Sequence, residues 1–212
     1  MTELRFADAE ALADLAILVS RARGADPDGA VRLQAHGRTL AAYVGVLPGS
    51  GLMAEGSVIG LRTMALAEPS EADVTVSLGA VADRLARPYA ASVLALPPVT
   101  VRAGWAAVAP PRSGWERVGA VSAEQVGEVA RAGIQRVAQA TEAAGGTAGA
   151  AAVTALRQQV WSEPTPTHPP FPSGGAFAAY VLGFVRPDTE VTVFAHGRWT
   201  RLSAVGGHVL IR

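Results

Sequence analysis

The sequence predicts an α+β protein in which antiparallel β-meanders at both ends of the chain pack with helices. Three observations lead there. Residues 27–38, Pro27-Asp28-Gly29-Ala30-Val31-Arg32-Leu33-Gln34-Ala35-His36-Gly37-Arg38, align without a gap on residues 187–198, Pro187-Asp188-Thr189-Glu190-Val191-Thr192-Val193-Phe194-Ala195-His196-Gly197-Arg198. The two stretches share 7 of 12 positions at an offset of 160, where composition alone gives about one. Each copy follows an apolar helical stretch, opens on a Pro-Asp turn, alternates apolar with polar residues, and breaks at His-Gly before a second alternating run. That pattern is a helix leading into a β-hairpin. The third observation is a long middle stretch with helical rather than alternating periodicity. The duplication implies a single domain over residues 1–212 with copies near 8–46 and 173–212, related by a pseudo-twofold. The alternative is two halves joined near 110–121.

In chain order, Asp8 caps a helix to about Arg23, with Leu12, Leu15, Ala16, Val19 and Ala22 on one stripe and Gly24 as its stop. Arg21 and Arg23 suit the negative end of its dipole. With His36-Gly37 as a two-residue turn, Ala35 faces Arg38, Leu33 faces Leu40 and Val31 faces Ala42. One face of that hairpin is then apolar and continues through Val44 and Val46. The Gly-rich stretch Pro48 to Ala54 leads into a strand, Val58 to Ala67, and not into the helix that a nucleotide-binding loop requires. Asp73 to Val76 reads as a short strand, and Ser77 caps a helix to about Arg87.

Two short strands, Ala91–Leu96 and Val99–Val108, are expected around Pro97-Pro98, at edges or bends. Pro110 to Trp115 reads as a connector. Ser122-Ala123-Glu124-Gln125 is a capping box. The helix it opens places Val126, Val129, Ala130, Gly133, Ile134, Val137, Ala138 and Thr141 on one face. After a Gly/Ala-rich connector from Thr141 to Ala150, Ala151 to Trp161 completes a helical hairpin with Val153, Leu156 and Val160 inward. Pro164 to Pro172, with five prolines in nine residues, is expected to be extended. Ser173 then caps an uncharged helix, Gly174 to Phe184, buried on most sides.

The last stretch reads as a meander, Glu190–Ala195, Arg198–Val205 and His208–Arg212, turning at His196-Gly197 and Gly206-Gly207. One face carries Val191, Val193, Thr200, Leu202, Ala204, Val209 and Ile211. The other carries Phe194 opposite Trp199, with Arg201, Ser203, Val205, His208, Leu210 and Arg212. This second face is too apolar for open solvent, so a helix, the first copy of the repeat or another subunit is expected to cover it.

Composition narrows the chemistry. All 18 basic residues are Arg, Lys, Asn and Cys are absent, and the formal net charge is zero. The missing residue types use A/T-rich codons, which points to a bacterial genome of high G+C content and removes Arg usage as a sign of phosphate binding. Charges of both signs are scattered, so no nucleic-acid partner is expected. No Cys means no disulfide and no thiolate chemistry. The N-terminal stretch is no signal peptide, and the longest uncharged run, Pro164 to Val185, is too proline-rich to span a bilayer. A cytoplasmic protein without membrane contact is the expectation. No metal-binding or cofactor motif appears, and neither metal nor cofactor is expected.

What remains is the duplicated His-Gly-Arg. A His that titrates near neutrality beside a permanent cation suits a carboxylate or phosphate. The candidate ligand-binding residues are therefore His36, Arg38, His196, Arg198, Trp199 and His208, with a small anionic ligand and no catalytic residue specified. The first reading of both tip histidines is nonetheless a turn role, which their conformational tolerance explains without a ligand. The expected function is a non-catalytic small-ligand-binding or protein-interaction module, acting as a homodimer. The alternative is an enzyme that acts on a small anionic substrate with the repeated tips, which then have to converge.

Overall fold

A computed structural model describes residues 3–49, 51, 54–87, 92–143 and 149–212. In chain order these form β1 (Glu3–Arg5), α1 (Ala9–Ala25), β2 (Ala30–His36), β3 (Thr39–Leu47), β4 (Val58–Ala65), β5 (Ala72–Ser77), α2 (Leu78–Leu85) and β6 (Val93–Ala95). A 3-10 turn (Gly104–Ala107) precedes β7 (Glu116–Ser122), α3 (Ala123–Ala143), α4 (Ala150–Ser162), α5 (Ser173–Val181), β8 (Glu190–His196), β9 (Trp199–Ala204) and β10 (Gly207–Ile211). Eight strands make one antiparallel sheet in the order β5-β2-β3-β4-β10-β9-β8-β7, while β1 and β6 pair separately. The chain is thus α+β, with the meanders β2-β3-β4 and β8-β9-β10 near its two ends and helices packed on them. The meanders join through β4 and β10, where Leu61 stands opposite His208.

Helix starts follow local hydrogen bonding. Asp8 accepts the Ala11 amide at 2.7 Å, and Ser77 accepts that of Ala80 at 3.2 Å. Ser122 and Gln125 exchange two bonds of 3.1 Å, so the capping box is present with both halves made. The expected stop at Gly24 is not used. Gly24 is not among the glycines with positive φ, and α1 runs on to Ala25 before leaving at Asp26.

The three turns lie one residue from their expected places. The first two are Gly37-Arg38 and Gly197-Arg198, because His36 pairs with Thr39 and His196 with Trp199. The third is Val205-Gly206, since Gly207 pairs with Ala204. Glycine decides the first two: Gly37 and Gly197 have φ of 54° and 57°, while both histidines stay in extended strand. Each shift moves the pairing by two residues, and side-chain direction alternates with period two, so residues that remain in strands keep their faces while Arg38 and Val205 fall in turns. The expected Phe194–Trp199 pair does not. Phe194 stands opposite Arg201, and Trp199 opposite His196.

On the helix-bearing face, α5 is the central element. Its Ser173, Gly174, Gly175, Ala176, Ala178 and Ala179 are buried. A side chain at Gly174 would strike Leu47 and Val58, and one at Gly175 would strike Leu202 and Ile211. Small residues therefore let α5 lie directly on the sheet. Ser173 is not the cap of this helix: it is the first helical residue, and its hydroxyl donates to the Val160 carbonyl at 2.7 Å. In α3 the inward stripe holds for Val126, Ala130 and Gly133, but Ile134, Ala138 and Thr141 are exposed. In the second half of that helix Val137 still packs on the core.

Three further expectations fail. Of the two strands around Pro97-Pro98 only Val93–Ala95 forms, and 99–108 is irregular apart from the 3-10 turn. Proline removes ladder donors there. The Pro-rich stretch is not extended: Pro164 bridges Pro172, the Thr165 amide donates to Phe171 O at 2.8 Å, and the His168–Pro169 peptide is cis. Buried Thr165 and Thr167 supply the hydroxyls that close this loop. Part of the cover of the second sheet face is a stretch outside the expected sources, residues 105–115. Trp105, Val108 and Trp115 pack there on Ile59, Trp199 and Leu210, with Gly45 leaving room for the Trp105 ring. The first residue of the expected Ala91 strand, the 144–148 part of the Gly/Ala connector, and Ser50, Leu52 and Met53 of the expected loop lie outside the described residues.

Candidate functional site

A cleft of about 690 Å³ opens at one end of the sheet on its helix side. Six separate stretches line it: the end of α1 with Asp26, the end of β3 with Val46 and Leu47, residues 55, 56 and 58, α4 from Thr154 to Ser162, Pro172, and Ile211 with Arg212. Its apolar wall includes Val46, Leu47, Val58, Trp161 and Ile211. Its polar groups include Asp26, Glu55, Arg157, Gln158, Gln159 and Arg212.

Each wall is fixed by a local arrangement. Trp161 stacks on Phe177 with centroids 4.5 Å apart and planes 24° from parallel. Gly133 makes that possible, because a side chain there would collide with the indole. Arg136 grips Glu163 with two bonds of 2.6 and 2.9 Å, tying the end of α4 to α3. The floor is closed by backbone: the Gly56 amide donates to Arg212 O at 2.7 Å, and the Arg212 amide to Ser57 O at 3.1 Å. Asp26, Glu55 and Arg157 give the cleft residues of both charge signs, while the Arg212 guanidinium turns away onto Trp199.

The expected site residues fall into separate places. His36 Nδ1 lies 2.9 Å from Glu71 Oε1 with both side chains largely exposed, and Arg38 is exposed beside it. Hydrogen bonds from His36 and from the Gly37 amide hold the Glu71 carboxyl below its usual range. The other tip stands at the opposite end of the sheet, since β2 and β8 run in opposite senses. They are five strand spacings apart, about 24 Å at ~4.8 Å each. The two tips therefore do not converge.

The second tip does meet the cleft. Arg198 Nη1 donates to Glu55 Oε1 at 2.9 Å, and Glu55 lines the cleft. Trp199, buried, carries the Arg212 guanidinium 5.5 Å above its ring centroid, and Arg212 also lines the cleft. His196 instead packs on Trp115, centroids 5.9 Å apart. His208 sits on the outer face with Nδ1 3.0 Å from Ser203 Oγ. Burial, and secondarily the charge of Arg201, push its pKa down, so it is neutral at neutral pH.

At the far end of the outer face a smaller pocket of about 80 Å³ gathers Arg32, Gln34, Tyr43 and Arg112 under the connector. Arg32 is committed there: its Nε and Nη2 each donate to Asp73 at 2.7 Å, and Nη1 donates to Ala106 O at 3.1 Å. Burial raises the Tyr43 phenol pKa. Among the described residues no three His, Asp or Glu side chains are grouped to hold a metal ion, and no helix is long and apolar enough to cross a membrane.

Sequence reasoning missed Arg157, Trp161 and Arg212 as cleft residues. Their only signals were an Arg on the outer side of a helix, a Trp ending an apolar stripe, and the last residue of a strand. None of these marks a site until α4, β10 and the 55–58 stretch are brought together.

Residues 1–107 match a family model described as Domain of unknown function (DUF8010), and residues 110–212 match a second, Domain of unknown function (DUF8185). No curated protein and no solved structure matches the chain.

Proposed function

The chain belongs to the DUF8010 family, and we propose that it is a non-catalytic module that binds a small ligand in the cleft between α1, α4 and the end of the sheet. One observation carries this: a 690 Å³ cleft with an apolar wall built on Trp161 and a charged rim. That volume lies within the range of about 300–1,000 Å³ that small-molecule sites occupy. Arg157 suits an anionic group on the ligand, and the wall from Leu47 to Ile211 suits an apolar body.

The test is a thermal-shift screen of small anionic amphiphiles against the wild type and Gln158→Phe, which places a ring in the cleft from an exposed position. A ligand at a hundred times its Kd stabilises the folded state by about 2.7 kcal/mol, a rise of roughly 5–11 °C for a chain of this size. Hits are expected on the wild type and lost in Gln158→Phe. Hits that stabilise both chains equally put binding elsewhere and overturn the reading.

The competing reading is an enzyme that acts on a small anionic substrate through the His-Gly-Arg tips. It draws on one contact, the reach of Arg198 to cleft-lining Glu55, and uses one tip per site. Turnover of an anionic cleft ligand, lost in Arg198→Ala, would favour it.

The homodimer and the cytoplasmic location belong to the same proposal. Exposed Ile134 and Tyr180, on the packed helices α3 and α5, offer an apolar surface for a second copy. Light scattering on the eluted protein distinguishes one chain from two. The duplication is likewise a proposal, in which the pseudo-twofold passes between β4 and β10. It is supported by the pairing of Leu61 with His208, which occupy equivalent places in the two meanders: Leu61 pairs with Tyr43, and His208 with Ser203, 160 positions on.

A further inference from the structure

The outer face of the second meander holds a cation to which no described residue supplies a counter-ion. Arg201 of β9 lies between two aromatic rings, its Cζ 4.2 Å from the Phe194 centroid and 4.7 Å from that of Trp115. Both rings are fixed. Phe194 stands directly opposite Arg201 in the ladder, and the Trp115 indole donates to Pro111 O at 3.0 Å while packing on His196. Among the described residues no carboxylate lies within 4 Å of Arg201 and no acceptor bonds its guanidinium. Nε is buried and unpaired, while the two Nη atoms are not buried and keep access to solvent. The result is a planar fork packed on two rings, with Nη donors that no described residue takes.

The surroundings select for negative charge. Arg117 of β7 stands opposite Phe194 on the same face, adding a second cation. His208 and Ser203 occupy the neighbouring row, bonded to each other at 3.0 Å. The acid on this face of β8 is Glu190, four residues from Phe194, or roughly 13 Å along the strand. Glu116 pairs with Ala195 and falls on the opposite face. Burial already lowers the Arg201 pKa, the direction expected of a cation without compensation.

We propose that Arg201 anchors a binding site for a small organic carboxylate on the outer face of β8, β9 and β10. The carboxylate takes both Nη donors side by side, a geometry that a guanidinium matches and an ammonium does not. The apolar body of the ligand lies along the edges of Phe194 and Trp115, and the Ser203–His208 pair supplies a further polar contact. This site is on the other side of the sheet from the cleft and does not depend on it.

The test titrates benzoate into the 15N-labelled full chain and follows the four tryptophan indole resonances, with inorganic phosphate as a second probe. The Trp115 indole is expected to shift saturably with benzoate, with a Kd of roughly 1 mM for so small a probe. Gln158→Phe should leave that shift intact. Arg201→Met, which keeps an apolar stem between the rings, should weaken binding by at least about tenfold. Arg201→Lys keeps the charge but loses the fork, and should bind several-fold more weakly, which decides the matter if the Met variant does not fold. No saturable shift at Trp115, a response to phosphate but not benzoate, or benzoate binding undiminished in Arg201→Lys would each overturn the proposal.

Discussion

Thr165→Val removes one hydroxyl from the loop between α4 and α5, and its cost can be worked from the hydrogen bonds. The Thr167 hydroxyl donates to Pro169 O at 2.9 Å, so its single proton is used. The 2.7 Å contact between Thr165 and Thr167 must then run from Thr165 to Thr167. Thr165 Oγ1 in turn accepts the Phe171 amide at 3.1 Å. The chain of donors is thus Phe171 N–H to Thr165 to Thr167 to Pro169 O, all beneath the surface. Valine has nearly the shape of threonine but breaks this chain at its middle, leaving the Phe171 amide unpaired. An orphaned buried group costs about 1–3 kcal/mol and the lost net bond about 1, so Thr165→Val should destabilise by about 2–4 kcal/mol. Thr165→Ser keeps the hydroxyl and loses a methyl, at about 1 kcal/mol. Urea unfolding measures both, and a thermal melt of the valine variant should show a fall in Tm of roughly 4–16 °C. A valine variant within about 0.5 kcal/mol of wild type, or a serine variant equally damaged, would refute the directed chain. The loop matters to the cleft because Trp161 and Pro172, at its two ends, line it.

Three further outcomes follow from local geometry. Gly37→Ala and Gly197→Ala meet no neighbouring atom, so their cost is backbone conformation alone, about 1 kcal/mol each by denaturant unfolding; no loss would mean that these turns do not need positive φ. Ser122→Ala should cost about 1 kcal/mol, a fall of roughly 2–4 °C in Tm, and an unchanged Tm would mean that the capping box contributes nothing. Hydrogen bonds from Arg32 hold the Asp73 carboxyl below its ordinary range, so the stabilisation is complete above the unfolded carboxylate's pKa, about 4, and is lost as pH falls through the lower folded value. The stability gap between wild type and Asp73→Asn should therefore narrow between neutral pH and about pH 3, modestly because Asp73 is nearly half exposed. A gap independent of pH would rule out the ion pair as its source.

Glycine at 45 and the connector illustrate a wider division. By alternation, a reading of β3 places Tyr43 and Gly45 on the side away from Leu40, Ala42 and Val44, and that is where they lie. What covers them is 60 residues further on, in Trp105. Alternation carries no record of that meeting. The same holds for Trp161, whose helical stripe predicts burial but not that Gly133 and Phe177 receive it.

From the sequence alone came the α+β class, the helix starts at Asp8, Ser77 and Ser122, and the face of each meander residue. These rest on hydrogen bonds spanning three residues and on periods of two and 3.6 residues, which the chain carries locally. Even a two-residue error in the turns left the faces of the strand residues intact. Only the tertiary structure decided the turn positions, the folding back of Pro164–Pro172, and the connector as cover for the outer face. It also decided where the site candidates went, Arg198 to the rim of the cleft, His36 to the far end and Trp199 under the Arg212 guanidinium, and it packed Arg201 on two rings with no described counter-ion. Each of these depends on contacts between segments remote in the chain, where packing volume and charge are settled by partners that no local pattern names.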